Sequence, residues 1–215
     1  MSVASPRTLS DGYSEVPHGC IAAVVTTLEM RSRPPARSLP PLPPGLEIRR
    51  IAKPDLQWYR RLYRHIGEPW LWFSRLRLSD ADLAAIIQDE HVAIWSLSAI
   101  EPGGELVSDE GLLELDFRED RSCEIAFLGL SMATTGRGVG RNLMAHAVDE
   151  AWKHPIERFW VHTCTLDHPT ALEFYMRSGF VPVKRQVEVT PDPRLDGTLP
   201  LTAAPQVPIL DGVPR

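Results

Sequence analysis

The stretch that decides how this chain folds runs from Glu124 to Phe180: EIAFLGLSMATTGRGVGRNLMAHAVDEAW over residues 124–152 and RFWVHTCTLDHPTALEFYMRSGF over residues 158–180. An apolar strand leads into a turn with glycines at 136, 138 and 140, and a helix opens directly behind it. Val139, Leu143, Met144, Ala147, Val148 and Ala151 recur at helical spacing, Arg141, Asn142, Asp149 and Glu150 take the other faces, and Pro155 stops the run. The first amides of such a helix have no intrahelical acceptors and carry the positive end of its dipole, while glycine lets a phosphate approach the backbone. Strand, glycine turn and helix in this order build an anion site.

Three phosphate-binding patterns compete for that turn. A Walker loop ends in Gly-Lys-Ser/Thr, whereas Gly140 is followed by Arg141 and Asn142. A dinucleotide fingerprint, G-x-G-x-x-G/A, would place Arg141 where its third small residue belongs. The segment Thr135-Gly136-Arg137-Gly138-Val139-Gly140 instead resembles motif A of the GNAT superfamily of acyl-CoA N-acyltransferases, Q/R-x-x-G-x-G/A, with Thr135 in place of the usual Gln or Arg. Downstream, Ala171, Tyr175, Gly179 and Phe180 resemble the superfamily's N-x-x-A-x-x-F-Y-x-x-x-G-F element, with His168 at the Asn position. Upstream, Glu124-Ile125-x-Phe127 is spaced from Gly138 as is the general-base Glu in the superfamily's histone acetyltransferases.

The resemblance implies a division of labour. The pyrophosphate of CoA would lie on residues 135 to 141, that is Thr135, Gly136, Arg137, Gly138, Val139, Gly140 and Arg141, with His168 helping to position it. The thioester oxygen and pantetheine arm would meet main-chain groups where the strand bulges near Gly129, at Leu130 and Met132. Tyr175 would be the acid that protonates the leaving thiolate; on periodicity alone it is equally a core aromatic beside Phe174. An incoming amine has a pKa of about 10.4 and must lose a proton to a carboxylate or a water chain. Glu124 is the leading base, its alternative reading being a solvated strand-end residue beside Arg121. Glu114, on one face of the preceding strand with Asp116, is the second choice; a solvent-facing polar stripe is the other reading, and the better one for Asp116. His162 reads as a hydrogen-bonded core histidine, His168 equally as a cap, and Cys164 as a packed thiol.

Bulk composition sets the outer bounds. A chain of 215 residues, 43% hydrophobic, can bury a full core, and a net charge of −5 argues against a nucleic-acid-wrapping surface. Cys20, Cys123 and Cys164 are isolated, which suggests neither a disulfide framework nor a metal site and fits a reducing, cytoplasmic setting. The early apolar run, Cys20 to Val25, is too short to span a bilayer and lacks a basic flank, so no membrane or export segment is expected.

Working outward, residues 1–44 read as an N-terminal arm containing a strand over 19–30 and a stiff connector with prolines at 34, 35, 40, 41, 43 and 44. That strand is expected outside the usual superfamily core. Residues 45–190 form the acyltransferase domain. Leu46, Ile48 and Ile51 begin a strand, Pro54-Asp55 opens a helix, Ser79 caps a second, and strands at 91–99, 111–118 and 123–132 make a meander. Residues 191–215 are a Pro-rich extension expected over the surface. The fold class is α+β, a GNAT-like mixed, mostly antiparallel sheet with helices on both faces.

Trp58, Tyr59, Tyr63, Trp70, Trp72 and Phe73 fall in the helix-loop-helix that the resemblance places over the acceptor end, where one or two of Trp70, Trp72 and Phe73 would reach the acceptor. The same rings could serve a homodimer contact. The expected activity is N-acetyl transfer from acetyl-CoA to an amine by direct attack in a ternary complex. A non-catalytic acyl-CoA-binding module and a partner-docking protein on the same fold are the alternatives.

Overall fold

The β-branched run near the start forms a strand, β1, over Cys20–Met30. The connector leads to β2 (Leu46–Arg50), α1 (Leu56–Gly67), a 3-10 turn at Glu68–Trp70 and α2 (Asp80–Ile87). The meander is β3 (Val92–Ile100), β4 (Leu106–Asp116) and β5 (Ser122–Leu130), followed by α3 (Val139–Ala151), β6 (Arg158–Cys164), α4 (Ala171–Ser178) and β7 (Val181–Pro191). This computed structural model describes residues 9–35 and 38–211; the start of the expected arm (1–8), residues 36–37 of the connector and the last four residues of the extension lie outside the described residues.

Both early helices start on side-chain caps. Asp55 accepts from the Trp58 amide at 2.8 Å and Ser79 from the Asp82 amide at 3.1 Å, each satisfying a donor that the first helical turn leaves free. The helices cover opposite faces of the sheet. On one face Tyr59, Leu62, Tyr63 and Ile66 of α1 and Leu83 and Ile87 of α2 pack with Ile94 and Leu112. On the other, Leu143, Met144 and Ala147 of α3 and Tyr175 of α4 pack with Leu113, Ile125, Phe159 and Val161. Leu112 and Leu113 are neighbours on β4 and enter opposite clusters, as strand alternation requires.

The seven strands form one sheet in the order β2-β3-β4-β5-β6-β1-β7, antiparallel except between β5 and β6. This is the expected mixed plan. β1, expected as an extra strand outside the usual superfamily core, lies inside the sheet, its Thr26 opposite Thr163 of β6 on one side and Arg185 of β7 on the other. Pairing on both edges satisfies its backbone, and Leu28 and Met30 are buried against α3 and α4.

The C-terminal extension also does more than run over the surface. The Arg194 guanidinium is buried, forked onto Asp192 at 2.9 and 2.7 Å and donating to the carbonyls of Ala203, Ala204 and Val207. That clasp folds the segment back so that Leu199, Ala203 and Ala204 pack on Ile21 and Leu71.

Candidate active site

β5 and β6 pair from Ser122–Arg158 to Ile125–Val161 and then part. The parting starts at a bulge: Leu115 faces Ile125 and Glu114 faces Phe127, leaving Ala126 as the extra residue that bends β5. Beyond it the two strands become the walls of a cleft of about 530 Å³. Main-chain groups of β5 that would have bonded β6 face this cleft, where an extended chain can add as a strand. The bulge was expected at Gly129, which instead pairs in register with Leu112. A Cβ there would stand 2.5 Å from Ile66 and 2.8 Å from the Trp72 ring, so this glycine serves close packing.

One end of the cleft is the glycine turn. Gly136 and Gly138 have φ of +79° and +81°, and a Cβ at either would meet nothing within 4 Å, leaving open space in front of the turn. Among the described residues, the amides of Gly136, Gly138, Val139 and Gly140 have no backbone acceptor. The turn is braced from behind: Thr134 and Thr135 amides both donate to Ser131 O, and the Ser131 amide donates to Glu110 O at 2.8 Å. The Thr135 hydroxyl donates to the same Ser131 carbonyl at 2.9 Å, so the side chain at the departed position stiffens the turn. Leu130, Thr135, Gly136, Gly138, Gly140, Arg141 and His168 line the cleft, and Arg177 joins them. Arg137 and Met132 are exposed and the Val139 side chain is in the core, so these three present no side chain to it. His168 Nδ1 accepts from the Thr170 amide and hydroxyl at 3.2 and 2.9 Å, which leaves the proton of the neutral ring on Nε2.

The two candidate bases part company. Glu114 is fully buried, taking the Tyr59 hydroxyl on one oxygen and Arg75 Nη2 on the other at 2.6 Å. Both oxygens are engaged and it does not reach the cleft, which corrects its expected role as an alternative base. Asp116 is tied to Arg118; burial raises its pKa, but the hydrogen bonds from Arg118 outweigh this and hold it below the usual range. Glu124, three residues before Phe127 on β5, is partly buried and lies 3.2 Å from His162 Nδ1. His162 lines the cleft and is half exposed, so it is no core histidine. The hydrogen bond that its ring donates to Glu124 raises its pKa, partly opposed by burial.

Tyr175 lines the cleft from α4 and is 7% exposed. Burial, and secondarily the charge of Asp167, pushes its phenol well up, so it holds a proton at neutral pH. Cys164 lines the cleft too, but burial pushes its thiol up to about 11, which keeps it a thiol. Trp70, Trp72 and Phe73 all line the cleft, Trp70 edge-on to His168 at 5.2 Å between ring centres.

Two features of the site went unread in the sequence. Asp167 accepts from Thr163 Oγ1 at 2.7 Å, the Cys164 amide at 2.8 Å and Trp72 Nε1 at 3.3 Å, and so fastens the aromatic loop to the end of β6. Ile21, Ala23 and Val25 of β1 extend the cleft beyond β6, where Glu188 and Thr190 of β7 also line it. Asp167 stands in the Cys-Thr-Leu-Asp turn just before His168-Pro169, a position where an Asx-type bond to nearby amides could have been suspected.

No curated protein matches the sequence. Among solved structures, a Drosophila protein aligns at TM-score 0.57 with 14% identity, covering 82% of this chain and 54% of that one. A putative GNAT-family acetyltransferase from Novosphingobium aromaticivorans aligns at 0.53 with 15% identity, covering 86% and 70%. A GCN5-related N-acetyltransferase from Sphaerobacter thermophilus aligns at 0.51 with 17% identity, covering 83% and 53%. At such identities the likeness is one of fold, and the chain spans roughly half to seven-tenths of the length of these structures. The model of the acetyltransferase (GNAT) family matches residues 51–180, which hold both cleft-forming strands, the glycine turn and Tyr175; the chain belongs to that family.

Proposed function

We propose that this protein carries an acetyl group from acetyl-CoA to an amine by direct attack within a ternary complex. The observation that carries this reading is the opening of β5 from β6, with amides of the glycine turn at one end and His162 and Tyr175 on its walls, His162 backed by Glu124, which does not itself line the cleft. The turn amides and Arg141 take the pyrophosphate, His168 helps position the donor, and the β5 main chain through Leu130 lies along the pantetheine arm. The amine loses its proton toward Glu124, by way of His162, whose ring is the member of the pair that lines the cleft. Its nitrogen forms a bond to the thioester carbon, the carbon–sulfur bond breaks, and the departing sulfur takes the Tyr175 proton. A phenol that stays protonated at neutral pH suits that last step. Three free cysteines support a reducing, cytoplasmic setting as part of the same reading.

One observation favours a second reading. Thr135 turns its hydroxyl into the protein, so the turn lacks the polar side chain that motif A usually offers to phosphate. A non-catalytic acyl-CoA-binding module would tolerate that loss. Thiol release from acetyl-CoA across a panel of amines, beside the thermal shift produced by CoA, separates the two. Turnover on an amine supports the transferase; stabilisation by CoA without turnover on any acceptor supports the binding module.

A further inference from the structure

β7 is the last strand of the sheet, and no described strand pairs with its outer edge. All residues from Val181 to Val189 are exposed, with Val181, Val183, Val187 and Val189 between 47% and 61% accessible. A long, exposed, β-branched edge is a template for another strand. Its free groups can be assigned. The Asp192 amide donates to Gly19 O at 2.9 Å, and Gly19–Asp192 continues the register of Cys20–Pro191. Even-numbered residues of β7 therefore turn their amides toward β1, and Arg185, Val187 and Val189 turn theirs to the open edge. The other side of β1 agrees, because the Thr165 amide donates to Val24 O at 3.1 Å, leaving the odd residues of β1 for β7.

We propose that this edge seats a homodimer in which β7 pairs antiparallel with β7 of a second copy about a two-fold axis at Gln186. The charge pattern selects that centre. It sets Lys184 opposite Glu188 of the second copy, and Glu188 opposite its Lys184, on the same face of the joined sheet. Arg185 and Val187 then exchange main-chain bonds across the axis, using the amides that point outward. An axis at Val187 would set Lys184 against Thr190 and Glu188 against Gln186, with no ion pair directly opposed. Pro182 and the bulge between Thr27 and Leu28, which leaves Val183 unpaired, stop the ladder at one end. Glu188 lines the cleft, so pairing brings Lys184 of the second copy to the cleft rim. The inference does not depend on the transfer reaction.

Sedimentation velocity over a concentration series tests it. The wild type is expected to dimerise. Lys184→Glu and Glu188→Lys each create two like-charge pairs and raise the dissociation constant by about tenfold or more. The double reversal restores the dimer, and an equimolar mixture of the two single variants forms a heterodimer. Val187→Pro removes an outward amide without touching the β1 ladder, so it abolishes the dimer while circular dichroism keeps the sheet. A wild type that stays monomeric throughout, a dimer indifferent to both charge reversals and to the proline, or a double reversal that stays dissociated would each overturn the proposal.

Discussion

The cleft divides the sheet into two halves that are built differently. β2, β3, β4 and β5 are antiparallel and adjacent both in sequence and in space. On the other side, β6 is joined to β1 and then to β7, so the second half is stitched from the first strand and the last two. The first half can form from local pairings, whereas the second waits for contacts of high sequence separation. The only parallel pairing in the sheet, β5 with β6, is the seam between the halves, and it opens after four paired positions. The first half supplies the turn, the buried ion pair beneath the site and Glu124 of β5, and the second supplies His162 and Tyr175, the groups proposed to exchange protons with the reactants.

If the acid carried by the second half governs turnover, its loss should dominate. Tyr175→Phe keeps the ring and deletes the donor, and turnover should fall by a factor of about 10² to 10⁴ with little change in acetyl-CoA affinity. Near-wild-type turnover would leave Tyr175 a packing residue. In the first half the expected effect is on stability. Glu114→Gln leaves Arg75 without its buried counter-charge and should cost about 3–5 kcal/mol in urea unfolding, with an unaltered pH–rate profile. A shifted profile with intact stability would return Glu114 to the chemistry and erase the contrast between the halves.

Leu28 tests whether β1 is integral. It is fully buried, and Leu28→Ala should cost about 2–5 kcal/mol; a cost near zero would make β1 an appendage after all. The smallest effect concerns Glu124→Gln. With Glu124 intact, His162 titrates above its usual range, so activity should fall as pH drops through that raised value. Removing the carboxylate should move this acidic limb to lower pH and reduce the rate by about tenfold, the weaker base being partly offset as higher pH frees the amine. NMR titration of the His162 ring should shift the same way. The linked stability term has the opposite pH sense from that of a paired carboxylate. It is fully present below the unfolded histidine pKa of about 6.5 and is lost as pH rises through the raised folded value.

Much of the first half was legible because its signals are local. The helix expected to open at Pro54-Asp55 does so, Ser79 caps the helix it was expected to cap, and the apolar spacing from Val139 to Ala151 matches the buried face of α3. The glycine turn was readable because positive φ at 136 and 138 admits few other residues. What escaped reading depended on partners far away in sequence. The Val and Thr content of β1 marks a strand but does not name its neighbours. Alternation placed Glu114 and Asp116 on one face without disclosing that Arg75 and Tyr59 close over the first of them. Gly129 looked like a bulge because the rings and methyls that crowd it come from α1 and the loop after it. The proline content past residue 190 hid the Arg194 clasp, since a single buried guanidinium leaves no periodic trace.

The place of β1 has a consequence for synthesis. Val25 must find Cys164, so at ribosomal speeds the strand emerges on the order of ten seconds before its first partner exists. During that interval a stretch rich in Val, Thr and Ala, with both edges open, is exposed to aggregation. The meander can be complete while β1 still waits, held apart by a proline-stiffened tether.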